Sequence, residues 1–169
     1  MTRLLRSSKF WLLSRALLVV ITLAIAAGVS FAQTTRARPS AAHDEEPVFH
    51  EYRGVKIGWL ADEVRKKLGS PANKGDEQDF YVFSDSKETA QIFYDKSTSK
   101  VTAISVDFMN GAREVITPQQ VFGADFEAKP DGSKSKLVRY PKAGYWVSYS
   151  RTAGETPIIT VTIQQIAPQ

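Results

Sequence analysis

Gly58-Trp59-Leu60-Ala61-Asp62-Glu63-Val64-Arg65-Lys66-Lys67-Leu68-Gly69-Ser70-Pro71 contains a complete short helix with both ends marked. Asp62 and Glu63 open it, where unpaired N–H groups favour negative charge. Arg65, Lys66 and Lys67 close it, where exposed carbonyls favour positive charge. Gly69 suits the left-handed position that ends a helix, and Pro71 cannot continue it. Ala61, Val64 and Leu68 share one face, and Trp59 can fold over Val64 as a staple. A helix this short needs an apolar surface to pack on.

The residues downstream supply that surface. Phe80-Tyr81-Val82-Phe83 reads as a strand. Residues 90–95 alternate Ala90, Ile92 and Tyr94 against Gln91, Phe93 and Asp95, and residues 101–108 place Ile104, Val106 and Phe108 on one face. The links are short and rich in Ser, Asp and Lys, as antiparallel hairpins require. Val55 and Ile57, either side of Lys56, predict an extended lead-in to the helix. Residues 51–110 therefore predict one helix and three antiparallel strands.

Residues 111–169 repeat that order as a degenerate copy within the same compact domain. Thr117-Pro118-Gln119-Gln120 is a capping box with proline at the first helical position, and Gly123 ends the helix. Strands are predicted at residues 137–140, 145–150 and 158–166, the last with Ile159, Val161 and Ile163 on one face. Corresponding landmarks keep a near-constant separation: Leu68 with Phe122, Tyr94 with Tyr149, Val106 with Val161. The expected fold class is α+β: two layers, short helices on an antiparallel β-sheet, in two tandem helix-plus-three-strand repeats.

The spacing of Gly58, Val64, Leu68, Gly69 and Pro71 ahead of three strands resembles the SmpA/OmlA (BamE-like) family. It is also similar to the wider superfamily that includes the tandem-repeat β-lactamase inhibitor protein. The resemblance covers roughly residues 52–108 and implies a non-enzymatic envelope protein that acts by contact with other proteins. Members of that family's assembly machine are usually lipoproteins, and this chain has no cysteine to lipidate. Leu60 stands where the helix usually has a Ser or Thr cap. The fold carries over from the resemblance, and a role in outer-membrane assembly does not.

Charge and hydropathy place the protein outside the cytoplasm. Arg3, Arg6, Lys9 and Arg15 account for the whole net charge of +4, because residues 1–32 hold no acid. An apolar run over residues 16–27 leads to Ser30-Phe31-Ala32, which fits signal-peptidase cleavage after Ala32. The alternative is an uncleaved anchor, which would be the only membrane contact. Either way the remainder is exported, to a periplasm or beyond the cell. Residues 33–50 read as a flexible linker, in which His43-Asp44-Glu45-Glu46 is a solvated acidic run rather than a metal clamp. The neutral remainder lacks the clustered cations that nucleic acid demands.

The 169 residues include no cysteine, which excludes disulfides, thiol nucleophiles and cysteine-zinc sites. Both histidines, His43 and His50, precede the folded unit, so no Ser-His-Asp arrangement can form within it. Asp76, Glu77 and Asp79 fall in a Gly/Asn/Lys-rich stretch and read as solvated. No catalytic, cofactor-binding or metal-ligating residue is expected, and the reading is of a non-enzyme. Aromatic residues carry the binding signal: Tyr140, Tyr145, Trp146 and Tyr149 crowd one hairpin, with Trp59 as a possible neighbour. Alternation allows two arrangements, Trp146 inward or Tyr145 and Tyr149 inward. The expected function is a protein-binding or scaffold module whose partner is another envelope or secreted protein. The alternative is a proteinaceous inhibitor of a secreted or periplasmic hydrolase.

Overall fold

The computed structural model describes residues 47–167. The signal or anchor segment, the cleavage site and the linker up to residue 46 lie outside the described residues. No helix among the described residues is long and apolar enough to cross a membrane.

The chain runs α1 (Ala61–Leu68), β1 (Gln78–Phe83), β2 (Glu88–Tyr94), β3 (Val101–Phe108), α2 (Pro118–Phe122), β4 (Lys134–Tyr140), β5 (Tyr145–Arg151) and β6 (Ile159–Gln165). The six strands form one antiparallel sheet in the order β1-β2-β3-β6-β5-β4. Two three-strand meanders therefore meet along β3 and β6. Val106 lies directly opposite Val161 in that seam, and Ile104 opposite Ile163.

Alternation decides the faces. Ile92, Ile104, Val106, Val147, Val161 and Ile163 are fully buried on one side of the sheet, and Val64 of α1 and Val121 of α2 join the same core. Both helices thus cover one face. Their ends follow the residues that mark them. Leu60 cannot cap α1 through its side chain, and Glu63 alone reaches back, accepting from the Leu60 N–H at 2.9 Å. The Ala61 N–H donates to the Ser99 carbonyl at 2.9 Å, so the β2–β3 loop satisfies one of the donors that a helix start leaves open. On α2, Thr117 and Gln120 form the reciprocal box.

No strand forms over the lead-in: Val55 makes an isolated bridge, and a turn follows at Ile57 and Gly58, closed by the Trp59 N–H on the Lys56 carbonyl at 3.3 Å. Upstream, Tyr52 and Val55 exchange N–H···O bonds of 2.9 Å around Arg53 and Gly54, which have φ of 49° and 83°. This is a two-residue turn with both central residues left-handed, a conformation Gly54 accommodates freely.

The two sheet edges differ. Asn73 exchanges N–H···O bonds with Phe80 and so occupies part of the outer edge of β1. On β4 the Lys136 side chain turns to the helix-covered side, with its ammonium 5.0 Å from the Phe122 ring centre and 5.7 Å from that of Phe126.

Candidate functional site

Two carboxylates are buried on the helix-covered side of the sheet, and each is held by an arginine and a tyrosine. Asp79, on β1, is fully buried. Arg65 of α1 donates to it through Nε at 2.8 Å and Nη2 at 3.1 Å, the Tyr94 hydroxyl donates at 2.8 Å, and the Gly75 N–H at 3.2 Å. Asp79 was expected in a solvated loop. It is instead the centre of this cluster, because β1 begins at Gln78 and directs it under α1. Burial by itself would raise the Asp79 pKa, but the Arg65, Tyr94 and Gly75 donors outweigh it and hold the carboxyl below the ordinary 3.8. The neighbouring Tyr81 hydroxyl makes no hydrogen bond of good geometry among the described residues. Burial first, and the Asp79 charge second, push it up to about 12.

Glu88 of β2 is the second. Its Oε1 accepts from the Tyr52 hydroxyl at 2.6 Å and from Arg53 Nε and Nη2, while Oε2 accepts from Arg53 Nη2 at 3.0 Å and the Ser84 hydroxyl at 3.2 Å. Arg53 in turn lies over the Phe83 ring at 4.4 Å. Ser84, Asp85 and Ser86 beside it all have positive φ, a left-handed turn without glycine. A cleft of about 480 Å³ opens next to this cluster, between Phe49, Arg53, Phe108 and the loop carrying Arg113 and Ile116. Both carboxylates are thus engaged by structural donors on each of their oxygens.

These clusters make stability depend on pH at both ends of the scale. Asp79 has a folded pKa below its ordinary value, so its contribution is complete above pH 3.8 and is lost as pH falls through the folded pKa. Tyr52 and Tyr94 are raised above 10.0, by burial first and then by the carboxylates they donate to. Their contribution is complete below pH 10.0 and is lost as pH rises beyond it. Urea midpoints followed across pH should therefore fall at both extremes. Asp79→Asn should be less stable than the native protein at neutral pH yet fall less steeply in acid. An identical acid slope in the two proteins would show that Asp79 does not titrate as described.

The aromatic residues singled out in the sequence are separated by the sheet. Tyr145, Val147 and Tyr149 face the helices, so Tyr149 (2% exposed) and Tyr140 (5%) are core residues. Tyr149 packs edge-on to Phe126 at 5.9 Å. Neither tyrosine offers a contact surface, which corrects the expectation for both. Trp59 and Tyr145 are half-buried against the same core. Trp146 alone of the five points to the opposite side.

That opposite side carries no helix from the described residues. Register aligns Gln78, Phe93, Ala103, Gln164, Trp146 and Arg139 in one row across all six strands. Phe93 and Trp146 are half-buried, and Val82 is 42% exposed. Phe93 was not singled out in the sequence. Its alternation against Ile92 and Tyr94 was the available signal. Among the described residues no cluster of acids and histidines has metal-binding geometry. No family model matches the chain, and no curated protein or solved structure is similar enough to match it.

Proposed function

We propose that the protein is an exported, non-enzymatic binding module of the cell envelope, and that the uncovered face of its sheet is the contact surface. The observation that carries this reading is the asymmetry of the sheet. Both helices lie on one face, and Trp146 and Phe93 stand on the other. The engagement of Asp79 and Glu88 by structural donors agrees with a protein that binds without chemistry. The SmpA/OmlA resemblance implies a protein partner, and an envelope glycan is the alternative that the same face accommodates. Inhibition of a secreted or periplasmic hydrolase is the second reading, supported by the slight hollow over β2, β3 and β6, into which a loop could insert. An internal duplication belongs to the same proposal. Val106 and Val161, which correspond in the sequence, face each other across the central seam, as two copies related by a two-fold axis would place them.

Trp146→Ala tests the surface. An anchor of this kind typically contributes about 2 kcal/mol, or about thirtyfold in affinity. The variant should fold normally and lose the envelope components that the native protein retains. Retention of the same components at the same yield would remove the uncovered face from consideration.

A further inference from the structure

Resting on the reading that the uncovered face is the contact surface, we propose that its occupant is a neutral polysaccharide strand lying across the sheet between Phe93 and Trp146. Phe93 and Trp146 share one row on β2 and β5, three strands apart, which places their backbones about 14 Å from each other. Only Ala103 and Gln164 stand between them in that row. The next row on the same four strands is Gln91, Ser105, Thr162 and Ser148, and the one beyond it is Thr89, Asp107, Thr160 and Ser150. Apart from Thr89, which is buried, the floor is thus built of half-buried or exposed amides and hydroxyls. Its single charge, Asp107, accepts from the Thr160 hydroxyl at 2.6 Å, and Ser105 and Thr162 are bonded across the seam at 3.1 Å. A hollow lined by Gln91, Phe93, Ser105 and Thr162 lies over the β2, β3 and β6 part of this floor. Glu77 also lines it, and its charge is matched by Lys96 at 2.9 Å.

This arrangement inverts that of a protein interface, which has an apolar aromatic centre and a polar rim. Here the centre is polar and the aromatics flank it. Phosphate backbones and anionic lipids are disfavoured, because Arg139 is the only cation in these three rows of paired residues. A chain of sugar rings has the complementary chemistry. Its hydroxyls both donate and accept, as do the side chains of the floor. Its ring C–H faces carry slight positive charge and lie well on the electron-rich faces of Phe93 and Trp146.

The test is a titration of the exported protein with a cello-oligosaccharide and a chito-oligosaccharide, followed by amide NMR shifts. Saturable shifts centred on Phe93, Ser105, Thr162 and Trp146 are expected with at least one of them. Trp146→Ala should weaken that binding at least tenfold. Thr162→Val, which keeps the shape of the floor and removes a hydroxyl, should weaken it several-fold with the fold intact. The absence of saturable shifts with both probes at millimolar concentration, or shifts confined to another surface, overturns the proposal. Should that occur while Trp146→Ala still loses a protein retained from envelope extract, the contact surface stands and its occupant is a protein. If the variant retains everything, both readings fall together.

Discussion

Replacing Arg65 with alanine should cost about 3–5 kcal/mol of unfolding free energy, the scale for breaking a buried ion pair from one side. Asp79 would keep its charge, its burial, the Tyr94 hydroxyl and the Gly75 N–H, and lose both guanidinium bonds. The Gly75 carbonyl would lose its Arg65 donor at 3.0 Å as well, loosening the loop that leads into β1. Arg65→Lys should rescue little, because an ammonium cannot reproduce the two-pronged contact. Adding Asp79→Asn to Arg65→Ala should restore part of the loss by removing the stranded charge. Urea unfolding with unchanged m-values measures all three. A loss below about 1 kcal/mol in Arg65→Ala would show that the pair contributes no more than a surface ion pair does.

Tyr149→Ala and Trp146→Ala should separate by several kcal/mol although the residues lie on one strand. Tyr149 is buried between Phe126 and the central strands, and truncation of a large buried aromatic costs about 3–5 kcal/mol. Trp146 stands on the uncovered face, so its removal should cost about 1 kcal/mol or less. Thermal and urea unfolding of the two variants give the comparison directly. Equal losses would mean that both faces are buried alike, and a larger loss in Trp146→Ala that the faces are assigned the wrong way round.

Much of this architecture was legible because period-two alternation survives wherever one face of a strand is buried. Residues 101–108 could be read to their ends, since Ile104, Val106 and Phe108 keep strict parity. The strand at residues 137–140 was read short. It begins three residues earlier, at Lys134, where lysine and serine leave no apolar signal. Asp79 was misplaced because its partner Arg65 lies on another element, and nothing local distinguishes a buried acid from a solvated one. The choice between Trp146 and its neighbours was narrowed to two arrangements by parity alone. Packing decided it, through Val147 opposite Ile163 and Tyr149 opposite Val161. The meeting of β3 with β6 joins residues far apart in the chain, and no short-range pattern encodes it.

The two ends of the sheet bear on how the protein behaves when it is crowded. A six-stranded antiparallel sheet would ordinarily offer two templates for a neighbouring chain to extend, the first step towards fibres. Asn73 already takes the Phe80 N–H and carbonyl on one border. On the other, an incoming strand would have to cover the Lys136 ammonium beside Phe122 and Phe126 and strip it of water. Lys134, tied to Asp125 at 2.9 Å, adds a second charge to that border. Growth of the sheet by addition of further molecules is therefore opposed at both ends, by occupied hydrogen bonds at one and by charge at the other.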